Sequence, residues 1–461
     1  MKRFALCLFP LAAACSLLPP TVRPVKPFDA PEARLSWPDF VPQDEVALLA
    51  DAERTLADVR QGDLLLTVEN ADGSRAEGVQ LRWEQTSRDV LFGVADDFDP
   101  GLWGDLVRAG VNHVESRLDW LATEPEKGSW RHRDTISTFG LDVLPGLGVQ
   151  VAAVGAVWLV PTAMPDWALA LEGEPMLRAV ARHLEALVSR LRGHVAVWEA
   201  LHDPTGSALP TSQLIALTGA AVQAIRDADP LATVVVSHLR PLGEARDVTP
   251  LAFMQRLERE RIDVDAIGLT YTYNGYAPSG VLEPRHSLAE ISANLDELGR
   301  LGQPLRITVS VPSVAHPKES SVAGYWGRPW DPEVQATYLR AFYTLALSKA
   351  AVASVTWQDA DDAGAEVLGG GLFTSDGAAK PSLAALRGLL ASWRTRGRGE
   401  VNDAGERRLR GFAGRYIVAI IDPRTRREVL TEARIREREL TTLTVRLPAD
   451  FAAPPAAPRA P

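Results

Sequence analysis

The most reactive side chains of the sequence cluster in Val197-Trp198-Glu199-Ala200-Leu201-His202-Asp203-Pro204. Carboxylic acids do general acid/base work, and two of them facing each other across a cleft can hydrolyse a glycosidic bond. Asp203 is the candidate acid. His202 would orient it or hold a sugar hydroxyl. Glu199 shares a strand face with Val197 and is a candidate second carboxylate. Each has a plainer reading: a capping aspartate, a loop histidine and a salt-bridged glutamate. Asp359, Asp361 and Asp362 form a further acidic loop, read as solvated or as the source of a base.

Aromatic residues form the second group. Trp120, Trp158, Trp167, Trp326, Trp330 and Trp357 fall near the ends of β-rich runs. Flat rings stack on sugars, and they also fill cores. Trp326, Trp330 and Trp357, with Tyr271 and Tyr273, are the best candidates for a glycan platform, and Glu115, Trp120 and Trp158 complete the candidate substrate-binding set. Metal chemistry has little support, because neither a His-Glu-x-x-His nor a paired-cysteine motif occurs. A serine nucleophile has no elbow motif around it. No cofactor is expected.

These side chains need a scaffold. Short β-rich runs alternate with amphipathic stretches at Val90–Val94, His113–Leu118, Val149–Val157, Val195–Leu201, Thr233–Ser237, Ala266–Tyr271, Leu305–Val311 and Ser354–Trp357. Helical spacing lies between them, as in Met176–Leu191 and Pro332–Lys349. The pattern predicts an α/β chain, a (β/α)8 TIM barrel over residues 90–394, with chemistry at the C-terminal strand ends. No Gly-rich phosphate loop follows the first strand, which disfavours the doubly wound alternative. Residues 44–89 are expected to form a helix and a β-hairpin turning at Asn70-Ala71-Asp72-Gly73. Residues 406–448 alternate like a small β module, and 449–461 read as a disordered tail.

The ends and the composition set the setting. The chain has 461 residues, 46% of them hydrophobic, and a formal net charge of -10. That charge argues against nucleic acid as a partner. Its two cysteines are Cys7 and Cys15. Met1-Lys2-Arg3, a short apolar run and Ala12-Ala13-Ala14-Cys15 resemble a bacterial lipoprotein signal over 1–15, with Cys15 lipidated. The plainer reading is a cleaved secretory signal. Residues 16–43 are Pro-rich and read as a tether. The expected location is outside the cytoplasm, anchored in the cell envelope at the outer membrane.

In order and spacing, a set of strand-end residues resembles glycoside hydrolase family 10, the endo-β-1,4-xylanase family. The set comprises Leu91-Phe92-Gly93, Glu115 and Trp120, Glu124-Pro125-Glu126-Lys127-Gly128-Ser129-Trp130, Pro165-Asp166-Trp167, Trp198-Glu199, Ile307-Thr308, Gln335, Trp357 and Lys380-Pro381. The resemblance implies a retaining mechanism with two carboxylates about 5–5.5 Å apart. It puts the acid/base at Asp203, after His202, and the nucleophile at Val309, where the family has glutamate. Valine cannot attack an anomeric carbon. Ser116, Asp119, Val154, Thr270, Thr272 and Gln358 replace further polar positions of the family. The expectation is therefore an exported barrel that recognises a β-linked polysaccharide without retaining hydrolysis. Alternatives are a glycosidase with a rearranged carboxylate pair and a structural envelope or exopolysaccharide-assembly lipoprotein.

Overall fold

The computed structural model describes residues 36–95, 99–243, 247–273, 285–316 and 324–451, with residues 132–134 described by their backbone only. The expected signal with Cys15, most of the tether and the tail beyond 451 lie outside the described residues.

Eight parallel strands close into a barrel: β3 (Leu91–Ala95), β4 (His113–Arg117), β5 (Gln150–Val154), β6 (Val197–His202), β7 (Thr233–Leu239), β8 (Ala266–Thr272), β9 (Leu305–Ser310) and β10 (Val352–Trp357), which returns to β3. This is the (β/α)8 architecture. The helices follow from local chemistry. In Gly173–Leu191, Met176, Val180, Leu184, Leu187 and Leu191 recur at helical spacing, and all are buried. Asp331 caps Pro332–Leu347 by accepting from the backbone N–H of Glu333 and Val334, and proline stands at its first turn. Ser287 and Glu290 form a reciprocal capping box on Leu288–Gly299.

The flanking β structure departs from the hairpin expectation. β1 (Gln61–Glu69) and β2 (Gln80–Arg88) lie in different sheets. β1 sits between β12 (Glu406–Phe412), antiparallel to it, and β15 (Leu440–Arg446), parallel to it. β2 sits between β11 (Arg396–Glu400) and β13 (Gly414–Ile421), with β14 (Glu428–Ile435) beyond. The Asn70–Gly73 turn does form, its Gly73 N–H donating to Asn70 O. Residues 70–79 then carry the chain across to the second sheet, because Leu64, Leu66 and Val68 on one sheet and Leu81, Val418 and Ile420 on the other share one core. N- and C-terminal segments thus build one two-sheet unit.

β11 is a strand that charge alone hides. In Arg396-Gly397-Arg398-Gly399-Glu400 the charged residues face solvent, and a side chain at Gly397 would meet the Trp83 indole, its Cβ 2.4 Å from the ring. The end of the expected tether is also ordered. Val41 is buried, Phe40 packs 5.6 Å from Trp326, and the Arg340 guanidinium lies 4.7 Å over Trp37. Among the described residues, no helix is long and apolar enough to cross a membrane.

Candidate functional site

A cleft of about 470 Å³ opens at the C-terminal ends of the strands and descends into the barrel. Strand alternation decides what it meets. On β4 the inward side chains are Glu115 and Arg117, on β6 Val197 and Glu199, and on β9 Arg306 and Thr308. A small apolar layer of Ala152, Val197, Val235 and Ala266 lies below.

Glu199 and His202 form one unit. Glu199 Oε2 accepts the Gly155 N–H at 2.6 Å, and His202 Nδ1 lies 2.9 and 3.0 Å from the two carboxylate oxygens. Gly155 adopts φ +73°, and a Cβ there would stand 2.8 Å from Asp119 Oδ1, so a side chain at this position would be both strained and crowded. Burial alone would lower the His202 pKa, but the Glu199 carboxylate outweighs it and raises the pKa above its ordinary value.

Glu115 anchors a second cluster deeper in the barrel. It accepts the Thr308 hydroxyl at 2.8 Å and the Thr356 hydroxyl at 2.9 Å. Burial pushes its pKa up, yet His113 beside it, then the Arg306 charge and the Thr308 hydroxyl, outweigh burial and hold it below the usual carboxylate value. Arg306 Nη2 donates to His113 Nε2 at 2.7 Å, and His113 Nδ1 stands 2.9 Å from Gln150 O. Only the neutral Nδ1–H tautomer satisfies both contacts, and burial lowers the His113 pKa accordingly.

At the rim, Arg117 pairs with Asp119 at 3.0 Å and Glu366 at 2.9 Å while lying 4.7 Å over the Trp158 ring. Asp359 follows β10 and accepts from Ser310 Oγ and the Glu366 N–H. Burial raises its pKa to about 6. Asp362 instead holds Lys380 in an ion pair, which ties the loop to the start of the last barrel helix.

Two sequence expectations change here. Val309, placed at the nucleophile position, is fully buried and faces outward into the core shared with the helices, because its neighbours Arg306 and Thr308 take the inward positions of β9. The cleft therefore meets one hydroxyl and one guanidinium on this strand, with no aliphatic plug. Asp203 is not among the residues bordering the described cleft. It stands at φ +47°, its N–H donates to Ser237 O, and its carboxylate accepts the Leu239 N–H at 3.2 Å. That carboxylate makes no cap hydrogen bond to the short helix Pro204–Gly206. Burial raises its pKa.

The tryptophans divide sharply. Trp158 is half-buried and borders the cleft, edge-on to His202. Trp120, Trp330 and Trp357 are buried, at 0%, 3% and 0% exposure, so no sugar ring can stack on them. Trp120 stacks 4.1 Å from His183 and donates to Glu124, and Trp357 donates to Gly370 O. Trp326 donates to Glu45 and packs on Tyr325, away from this cleft. Tyr271 is buried and donates to Asn294 Oδ1, and Tyr273 packs on Trp330. Both tyrosines border a separate, smaller cavity of about 90 Å³. Glu124 accepts from Trp120, Gly128, Arg182 and His183 and holds its loop. Among the described residues, no group of three potential metal ligands occurs.

Arg117, Arg306 and Thr356 were not singled out from the sequence, and Thr308 was quoted only for the family resemblance, not as a lining residue. The period-two pattern His113-x-Glu115-x-Arg117 and Arg306-x-Thr308 carried the signal.

No protein-family model matches the chain. Endo-1,4-β-xylanase 3 of Arabidopsis thaliana is 23% identical over 319 residues, 67% of this chain and 38% of that protein. An endo-1,4-β-xylanase of Agaricus bisporus is 23% identical over 191 residues, 39% of this chain and 56% of that protein. The chain spans between 32% and 56% of the curated relatives it matches. Among solved structures, xylanase 10B of Thermotoga petrophila RKU-1 in complex with xylobiose superposes with a TM-score of 0.51 at 17% identity, covering 66% of this chain and 94% of that one. Native xylanase 10C of Cellvibrio japonicus gives 0.53 at 14% identity, covering 67% and 72%. Identities this low speak for the fold. Taken with the closed barrel, they make the chain a divergent, family-10-like (β/α)8 protein, similar to the endo-1,4-β-xylanases of glycoside hydrolase family 10.

Proposed function

We propose that this glycoside-hydrolase-like barrel binds a β-linked polysaccharide or oligosaccharide at its mouth without cleaving it by the retaining mechanism. One observation carries the reading. Arg306 and Thr308 are what the seventh barrel strand offers the cleft, and neither can form a glycosyl-enzyme as a carboxylate does. The remaining lining suits a polyol: the Ser237 and Thr270 hydroxyls, Gln358, Arg117 and the Trp158 ring. Affinity electrophoresis on β-linked glucans and xylans tests it, with reducing ends measured in parallel. Retarded migration with no new reducing ends supports the reading. Failure to bind any β-linked glycan sinks it.

Asp359 favours a second reading, an active glycosidase with a rearranged pair. Its carboxyl borders the cleft and keeps its proton to about pH 6, as a general acid requires, and Glu199 would be the second carboxylate. Glycan hydrolysis that disappears in Asp359→Asn would establish this reading in place of the first.

We further propose that the chain is exported and held in the cell envelope, at the outer membrane, by lipid on Cys15. Metabolic labelling with palmitate, lost in Cys15→Ser, tests that anchor. An unlabelled wild-type protein contradicts it.

A further inference from the structure

We propose that the lower part of this cleft is an anion site, and that the sugar it takes carries a carboxylate, a uronic acid, seated on Arg306. The inference rests on the glycan reading of the same cleft and names the class of sugar. Arg306 is only 8% exposed. A buried guanidinium is costly unless an anion meets it. Among the described residues, no carboxylate lies within ion-pair distance of it. Its Nη2 donates to a neutral imidazole, His113, which supplies no charge. Glu115 interacts with Arg306 through charge but makes no direct ion pair with it, and commits one oxygen to Thr308 and the other to Thr356.

The surroundings leave room for a ligand. In register, Arg306 lies between Gly268 on β8 and Ser354 on β10. Gly268 has no side chain, and Ser237 Oγ fills the space where its Cβ would stand, 2.1 Å away, so that a hydroxyl rather than an aliphatic group borders the cleft beside Arg306. Ser354 Oγ is buried without a hydrogen-bond partner. The layer of Ala152, Val197, Val235 and Ala266 closes the shaft below. A blind shaft admits a chain end or a side substituent, not a polymer running through. A guanidinium at its depth matches the planar fork of a carboxylate. The other five acids bordering the cleft are engaged: Glu199 by Gly155 and His202, Asp359 by Ser310 and the Glu366 N–H, Glu366 by Arg117 and Gln358, Asp361 by the Ala363 N–H and Asp99 by the Gly101 N–H.

The test is titration calorimetry of the full chain with two xylo-oligosaccharides of equal length, one ending in glucuronic acid and one neutral. The acidic ligand should bind roughly tenfold more tightly or better. That preference should fall towards one in Arg306→Gln and survive in part in Arg306→Lys, which keeps the charge and loses the fork. Equal affinities in the wild-type protein overturn the anion site while leaving the glycan reading intact. Binding of neither ligand overturns the glycan reading itself. A preference that persists in Arg306→Gln overturns the assignment to Arg306. If that variant does not fold, the wild-type comparison and Arg306→Lys decide.

Discussion

Thr308 on the seventh barrel strand donates its hydroxyl to Glu115 on the second, at 2.8 Å, across the inside of the barrel. The family-10 resemblance looks to the residue after Thr308 for its nucleophile. Here that strand end contributes a hydroxyl that holds another strand's carboxylate in place.

Thr308→Val keeps the shape and removes the donor. One oxygen of a buried carboxylate then loses its partner, at a cost of about 1–3 kcal/mol. Urea denaturation should show that loss, and Thr308→Ser should recover most of it. An unchanged midpoint in Thr308→Val would mean that Glu115 does not depend on the bond.

The cleft acids set a pH dependence. The Asp359 pKa is raised from 3.8 to about 6, so its stabilising contribution is complete below about pH 4 and is lost as pH rises through about 6, a difference of up to about 3 kcal/mol. The His202 pKa is raised above 6.5, so its pairing with Glu199 contributes fully below that value and is lost as pH rises through the higher folded value. These two groups therefore lower the melting temperature as pH rises from about 4, while Glu115 and Glu124, whose pKa values are depressed, act in the opposite direction below their unfolded values. Asp359→Asn should flatten the first part of the fall, and His202→Gln the part above 6.5. A profile identical in Asp359→Asn would contradict the buried-carboxyl account.

Tryptophan substitutions should separate binding from packing. Trp158→Ala should weaken oligosaccharide binding by roughly tenfold, about 1.4 kcal/mol, with little change in stability. Trp357→Ala, in the core, should cost about 3–5 kcal/mol of stability. Calorimetric titration and thermal melts of both variants check this. Equal binding losses in two folded variants would mean that burial does not tell the platform from the core.

The two-sheet unit should depend on both ends of the chain. Arg60, at the end of the helix Gln43–Arg60, donates to Leu347 O and Val352 O and pairs with Glu437. Arg60→Met leaves Leu347 O and Val352 O without that donor and should cost about 2–4 kcal/mol. Removing residues 396–451 should leave β1 and β2 without partners and yield an aggregating product, as judged by size-exclusion chromatography. A monomeric, cooperatively melting truncation would contradict the shared core.

Much of the barrel was legible because short β-rich runs, some of them with several β-branched residues, lie between helices with clear spacing. Thr233-Val234-Val235-Val236 and Leu305-Arg306-Ile307-Thr308 are examples, and these two strands begin where the sequence puts them, while others start one or two residues away. Facing was harder to read. Trp357 and Val309 sit at strand ends, yet strand parity turns both into the core. Arg306 in a β-rich run looks like an exposed position until the barrel closes around it. The Asn70–Gly73 turn predicts a hairpin, but pairing is decided by strands more than 300 residues away, such as the Leu64 partner Leu409. A local signal cannot encode that choice.

The most direct measurement is equilibrium binding of a β-1,4-linked xylo-oligosaccharide, with the ligand recovered afterwards and its length determined by mass spectrometry. A barrel that binds without cleaving gives saturable binding and returns the oligosaccharide at full length. Shortened products, or a glycosyl mass covalently attached to the protein, would contradict it.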